Sequence, residues 1–212
     1  MNKFFYGILV LLILTSCAQK LNGLKAYNEL QNRETVDAFR GNTTQTIPVL
    51  KVNEEYKFSL KTEDPILVYK TDSLIRSNFK QFKVLTKPDS RYRISIYSIC
   101  NCMGFKKQVF VPQLHICDEK GNIYKPVLIE EKIDYPKGSK AKAISVMQEY
   151  GLKNPLPATL YLTVFADNEN LDKRVDRLNV SGISGFIPYT IPLSLKSTTN
   201  GEFVIQVKEY SK

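Results

Sequence analysis

The chain has no tryptophan, one histidine, three methionines and four cysteines among its 212 residues. A lone histidine, His115, excludes zinc catalysis of the His-Glu-x-x-His kind, which needs two imidazoles. It also leaves any serine triad dependent on a histidine that strand alternation places beside Cys117. A Gly-x-Ser-x-Gly elbow is missing: Gly182-Ile183-Ser184-Gly185 is one residue short and lies in a proline-rich crossing rather than a strand-to-helix turn. Ser-x-x-Lys occurs at Ser77/Lys80 and Ser139/Lys142, but no Lys-Thr-Gly partner follows. The adjacent acids Glu130-Glu131 and Asp172/Asp176 stand among lysines and arginines, as solvated faces do. Charge of one sign is not gathered into a block. The formal charge of +9 is spread along the chain, which suits a solvated surface and could also favour anionic headgroups or an acidic polymer. No RNA-binding or helix-turn-helix signature is present, and nucleic acid is set aside as a partner.

What the chain does have begins at its start. Lys3 precedes an uncharged apolar run from Phe4 to Leu14, eleven residues long. As a helix this run would span about 16 Å, about half of a ~30 Å hydrocarbon core. It therefore reads as the core of an export signal and not as a membrane span. No second long apolar stretch follows, so the mature chain does not span a membrane by helix. Leu14-Thr15-Ser16-Cys17 resembles the lipobox of bacterial lipoproteins: a branched apolar residue, two small or polar ones, then cysteine. The resemblance implies cleavage before Cys17, a diacylglycerol on its sulfur and an acyl chain on its amine. Three acyl chains exceed the two signals that stable anchoring requires. Ala18, where an aspartate would retain the protein at the inner membrane, resembles the outer-membrane sorting pattern. The expected location is the outer membrane, anchored by lipid, with the periplasmic or surface face left open.

Removing residues 1–16 leaves 196, enough for one domain with a tether. Residues 17–45 are polar and weakly patterned; Leu21, Leu24, Leu30 and Val36 hint at a helix, and the segment reads as the lipidated N-terminus and tether. From residue 46 to 212 the period is that of strands. Tyr56, Phe58 and Leu60 alternate with polar neighbours, as do Tyr92, Ile94 and Ile96. Phe79, Phe82, Val84 and Leu85 form an apolar segment before the turn-like Pro88-Asp89-Ser90. Val109 to Ile116 is β-rich, and Asp118-Glu119-Lys120-Gly121-Asn122 reads as a hairpin turn into Ile123 to Ile129. Ala141 to Tyr150 reads as a short helix ended by Gly151. Thr159 to Phe165 is apolar enough for a strand buried on both faces. Asn168 to Asn179 reads as loop with a helical turn or two. Gly182 to Leu195, with Pro188 and Pro192, reads as an extended crossing rather than a central strand. Glu202 to Val207 closes the chain after the Asn200-Gly201 turn. Many short strands and frequent turns predict an all-β fold, a jelly-roll-like or immunoglobulin-like β-sandwich with one or two short helices.

The segments 109–127, 160–173 and 187–207 are similar in order and spacing to segments of the MalM-like periplasmic proteins. Tyr56–Leu60 and Tyr92–Ser98 resemble strands of pre-peptidase C-terminal domains. Together these cover about residues 50–207 and imply a non-catalytic exported sandwich. They carry over no functional residue. The cysteines and Pro188-Tyr189-Thr190 depart from the MalM pattern, so maltodextrin use does not transfer.

After lipidation Cys100, Cys102 and Cys117 remain, and an oxidising compartment favours one disulfide with one cysteine left over. In a simple hairpin turning near Gly104-Phe105, Cys117 would lie opposite Tyr92, about 26 Å from Cys100, far beyond the ~7 Å that a disulfide spans. We therefore expect residues 100–108 to cross between sheets and bring Cys117 beside Cys100 or Cys102. A Cys100–Cys102 bond, a strained small ring, is the alternative partner choice. The same residues with Met103 and His115 make a soft-ligand set suited to Cu(I). The expected function is a lipid-anchored envelope accessory or binding protein without catalysis or cofactor. Its partners would be the membrane, through the lipid, and an envelope protein or glycan. A copper-handling lipoprotein is the first alternative. A carbohydrate-active enzyme with an unrecognised carboxylate pair is the second, because such a pair needs no sequence motif.

Overall fold

The computed structural model describes residues 23–36, 46–70, 74–101, 107–134, 144–184 and 187–210. Cys17, Cys102, Met103 and the Ser139/Lys142 pair lie outside the described residues. A short helix, α1 (Gly23–Leu30), precedes thirteen strands among the described residues: β1 (Val49–Leu50), β2 (Glu55–Leu60), β3 (Ile66–Lys70), β4 (Ile75–Leu85), β5 (Arg91–Ile99), β6 (Lys107–Val109), β7 (Pro112–Cys117), β8 (Val127–Asp134), β9 (Ser145–Gly151), β10 (Thr159–Ala166), β11 (Arg174–Ser184), β12 (Ile187–Ser197) and β13 (Gly201–Tyr210). A single 3-10 turn, Asn168–Asn170, joins β10 to β11. The fold is an all-β sandwich.

One layer has the order β1-β4-β10-β7, with β3 also pairing with β4; the other has the order β2-β13-β5-β9-β8. The alternating apolar residues of each strand meet between them. In the first layer Leu162 stands opposite both Phe82 and Ile116. In the second, Ile205 stands opposite Tyr56 and Ile96. Four rings bridge the layers: Phe58 and Phe82 lie 4.6 Å apart, and Phe203 stands edge-on to Phe82 at 6.2 Å and to Phe110 at 5.7 Å. Such pairs add to plain area burial. Strand β10 is buried on both faces, as its composition predicts. Leu160, Leu162 and Val164 enter the main core. Phe165 packs outward with Phe79 beneath Leu67, Tyr69 and Val36.

Several local expectations are corrected. The segment expected to be a helix up to Tyr150 is instead β9, paired on both sides by β5 and β8. Its Val146, Gln148 and Tyr150 alternate inward, and two strand neighbours outweigh a weak helical preference. The run 109–116 divides into β6 and β7. The Asp118–Asn122 turn forms, but it closes only an isolated bridge between Cys117 and Ile123. The chain then changes layers, so β7 and β8 are not a hairpin.

The expected loop and crossing at 168–195 is largely a long hairpin of β11 and β12, with β6 added along Leu195–Ser197. Its prolines fit because of register. Ser184 and Ile187 close the hairpin, which places Pro188 and Pro192 at non-hydrogen-bonded pairs with Ile183 and Asn179. Their missing N–H groups therefore fall on the outer edge of β12, beyond the reach of β6.

Residues 23–36, read as tether, dock on the sandwich. Leu30 is fully buried, and the Val36 N–H donates to the Ile66 carbonyl at 2.7 Å. Arg76 Nη1 donates to the carbonyls of Leu30, Gln31 and Arg33 at 3.3, 2.7 and 3.0 Å. Arg33 in turn donates to the carbonyls of Thr62, Glu63 and Asp64. Gly23 lies against Thr198. This end of the sandwich, where β13 begins, is thus the end at which the N-terminal segment arrives.

Candidate binding surface

Among the described residues the structure does not gather Cys100 with His115 and Cys117. Cys100, at the end of β5, is disulfide-bonded, whereas Cys117 is a buried free thiol. The expected bond to Cys117 is therefore absent. Residues between β5 and β7 do carry the chain from one layer to the other. They re-enter at the same end of the sandwich, since Phe110 lies against Gly201 and Phe203. From there β7 runs away from Cys100. It reaches Cys117 opposite Tyr161, five residues past Pro112, or about 17 Å at strand rise. Cys117 thus ends up at the Tyr92 end after all, but in the other layer. His115 stands opposite Thr163 on β10. Burial lowers its pKa, and burial followed by the Asp118 charge raises that of the Cys117 thiol. Among the described residues no group of three or more His, Cys, Asp or Glu is arranged to hold a metal.

The other chemical candidates are spread over the surface or tied into the fold. Ser77 is buried; its hydroxyl donates to the Asn78 carbonyl at 2.9 Å and accepts from the Ala166 N–H at 3.0 Å. Lys80 is ion-paired with Asp64 at 2.7 Å. Glu130 pairs with Lys132, Glu131 accepts from Gln148, and Asp172 pairs with Lys196.

A different feature emerges on β8, the edge strand of the second layer. Val127, Leu128 and Ile129 are consecutive and exposed, with Leu128 and Ile129 at 48% and 49%. Ile123, at 62%, precedes them in the loop from β7. Sequence patterning places these residues in the segment Ile123 to Ile129 that follows a turn, and local pattern carries no sign that they are uncovered. The loop is built by Asp118. Its carboxylate accepts from the N–H groups of Lys120 and Asn122 at 2.9 and 2.8 Å, and from the Asn122 amide at 2.7 Å. Those bonds, the Asn122 amide foremost, lower the Asp118 pKa. Gly121, at φ 80°, supplies the left-handed residue this turn requires.

Register shifts between Leu128 and Glu130, so the ladder is bulged at Ile129. Beyond it Glu130, Glu131, Lys132 and Asp134 guard the edge with charge. The first half of β8 has no such guard. Lys120 and Lys125 flank it, both exposed. Neighbouring Glu119 is bound to Lys83 of β4 at 3.6 Å. Lys83 is seven residues from Arg76, about 23 Å along the strand. The apolar patch therefore lies at the end of the sandwich remote from the docked N-terminal segment. Compared with known proteins, the chain matches no family model, and no curated protein or solved structure matches it.

Proposed function

We propose that the protein is a lipid-anchored accessory protein of the cell envelope, held in the outer membrane through acylated Cys17, that binds an envelope partner and performs no chemistry. The observation that carries this reading is the opposition of two ends. The N-terminal segment that follows Cys17 docks at the Thr198 end, and the unguarded apolar stretch Val127–Ile129 stands at the other. A lipid at Cys17 holds the first end near the bilayer and leaves the second pointing away from it. Contiguous exposed apolar side chains rimmed by polar groups mark interaction sites. Lys120 and Lys125 suit a partner with acidic residues around an apolar contact.

A photo-crosslinking amino acid at Leu128, compared with one at Lys61 near the docked end, tests this in intact cells. A discrete adduct from position 128 alone, lost when Lys120 and Lys125 are both changed to Glu, is the expected result. Equal labelling from both positions, or none from 128, overturns the binding surface. Cys17→Ser tests the anchor separately. It should leave the precursor uncleaved or the protein in the aqueous phase of a detergent partition, and normal processing with unchanged membrane retention overturns the lipoprotein reading.

A further inference from the structure

Three neighbouring strands of the second layer end together where the N-terminal segment docks, and they end unevenly. β13 lies between β2 and β5 and begins at Gly201, opposite Leu60. Phe203 stands opposite Ser98, which puts Cys100 level with Gly201. The chains on either side overrun that level, β2 into residues 61–63 and β5 as far as Asn101. These overruns form two walls, and the Asn200-Gly201 turn forms the floor between them. The result is an open cleft of about 510 Å³, inside the range of about 300–1,000 Å³ typical of small-ligand sites.

Each wall is held from behind. Arg33 donates to the carbonyls of Thr62, Glu63 and Asp64, and the Asp64 carboxylate accepts from the Lys61 N–H at 2.7 Å. On the other wall Cys100 is disulfide-bonded. Asn101 next to it exchanges both backbone hydrogen bonds with Gln108, at 2.8 and 3.2 Å. At the floor Gly201 rests on buried Phe110. A site fixed in this way before binding loses little ordering entropy on binding. Its polar side chains, by contrast, are available. Among the described residues the carboxamides of Asn101 and Asn200, the Ser59 hydroxyl and the Lys61 ammonium bond to no protein group.

The mix of these groups selects a class of ligand. Each carboxamide offers donors and an acceptor, the ammonium only donates, and the Glu63 carboxylate only accepts. That carboxylate stays ionised: its own backbone N–H first, and the Thr62 hydroxyl next, hold its pKa below the ordinary value. The charges cancel, because Lys61 offsets Glu63 and Glu202 is paired with Lys57 at 2.7 Å. A balanced lining exerts no pull on a phosphate or a polyanion. An extended peptide adds along a strand edge, whereas this cleft lies across strand ends. Leu60, Ile99 and Cys100 contribute apolar surface among the polar groups. A saccharide matches all of this: its hydroxyls both donate and accept, its ring carries no charge, and its C–H face is apolar. We propose that the cleft binds a short neutral oligosaccharide, with Asn101, Asn200 and Glu63 engaging ring hydroxyls and Ile99 meeting a C–H face. The site depends neither on a lipid at Cys17 nor on the β8 surface at the far end.

The test applies the full-length protein to an array of neutral and acidic oligosaccharides. A lipidated chain is carried in phosphatidylcholine nanodiscs, so that no sugar-headed detergent competes, and an unlipidated one is used in buffer. Retention on neutral oligosaccharides is expected, and calorimetry on the best-retained one gives its affinity. Asn101→Ala combined with Glu63→Gln should weaken that affinity by about tenfold or more. Lys125→Ala, at the far end, should leave it within about twofold. Both altered side chains are exposed, so the double variant should unfold at the same temperature as the parent, and a matched midpoint shows that the loss belongs to the cleft. No retention on any glycan overturns the proposal, as does retention on acidic glycans alone. Neutral-glycan affinity that survives the double variant overturns it too, because the sugar then binds elsewhere.

Discussion

The guanidinium of Arg76, on β4, closes the end of α1 by donating to the Leu30 carbonyl and to two carbonyls beyond it. Helix ends leave carbonyls without intrahelical partners, and a charged donor is the strong way to satisfy them. Arg76→Ala should therefore destabilise the protein by about 2–4 kcal/mol, at ~1.5–3 kcal/mol per hydrogen bond to a charged group with incomplete additivity. Amide exchange should become fast in 23–36 before it changes in β10. Denaturant titration and exchange mass spectrometry check both. Uniform loss of protection across the sandwich would show that the segment is not separately docked by this side chain. A chain starting at residue 46 should be destabilised for the same reason, because it also loses buried Leu30.

Two glycines should respond differently to alanine. At Gly201 a Cβ would meet Phe110 Cδ1 at 3.2 Å, and Phe110 is fully buried against Phe203 and cannot give way. Gly201→Ala should cost about 1–3 kcal/mol, as overpacking does. At Gly151 a Cβ would meet Ile129 Cδ1 at 3.0 Å, but that atom ends an exposed side chain that can rotate aside. Gly151→Ala should change stability by less than about 0.5 kcal/mol while moving a member of the β8 patch. Thermal denaturation of the two variants side by side tests the contrast.

The strands legible in the sequence are those whose own alternation matches their burial. Tyr92, Ile94 and Ile96 read inward, and Thr159–Phe165 reads as buried on both sides; both readings describe the structure. The β9 segment does not read as a strand because its inward set includes Gln148, a polar residue at a core position that breaks the alternation. Gln148 is satisfied there by Tyr150, whose hydroxyl donates to it at 2.7 Å, and by Glu131. Pro188 and Pro192 obscured β12, since only the pairing register shows which edge their missing N–H groups face. The docked segment is hidden because its partners, Arg76 and Thr62–Asp64, are some thirty to forty-six residues away and every one of these bonds ends on a backbone carbonyl, which carries no side-chain pattern. The β8 patch depends on what fails to cover Leu128, and local sequence is silent on that.

His115 gives the stability curve an acid limb of its own. Burial lowers its pKa, so the folded state holds the ring neutral while the unfolded chain takes up a proton near the ordinary imidazole value of about 6.5. Stability from this group is complete above that value and falls as pH drops below it toward the folded pKa. His115→Gln should flatten the profile just below the ordinary imidazole value of about 6.5 and leave the carboxylate-driven loss at lower pH in place. Unfolding free energies measured across that range decide the matter, and an unchanged slope in the variant would show that His115 titrates alike in both states.

The free Cys117 and the bonded Cys100 predict a thiol inventory. If Cys17 carries the proposed lipid, the denatured, unreduced chain should carry one free thiol, and peptide mapping should assign it to Cys117. In the folded chain that thiol should be nearly inert to iodoacetamide at neutral pH, because the thiolate is the reactive form and burial beside Asp118 raises the pKa. The same shift gives an alkaline limb. Its contribution is full below the ordinary thiol pKa of about 8.5 and is lost as pH rises beyond it, where only the unfolded chain ionises. Cys117→Ser should remove that share of the alkaline loss, and Tyr69 and Tyr150, whose pKa values burial also raises, should contribute further loss at higher pH. Label found on Cys100 before reduction, or three labelled thiols per chain, would contradict the bonded state of Cys100. Rapid labelling of Cys117 in the folded chain would instead show that the end of β7 opens to solvent.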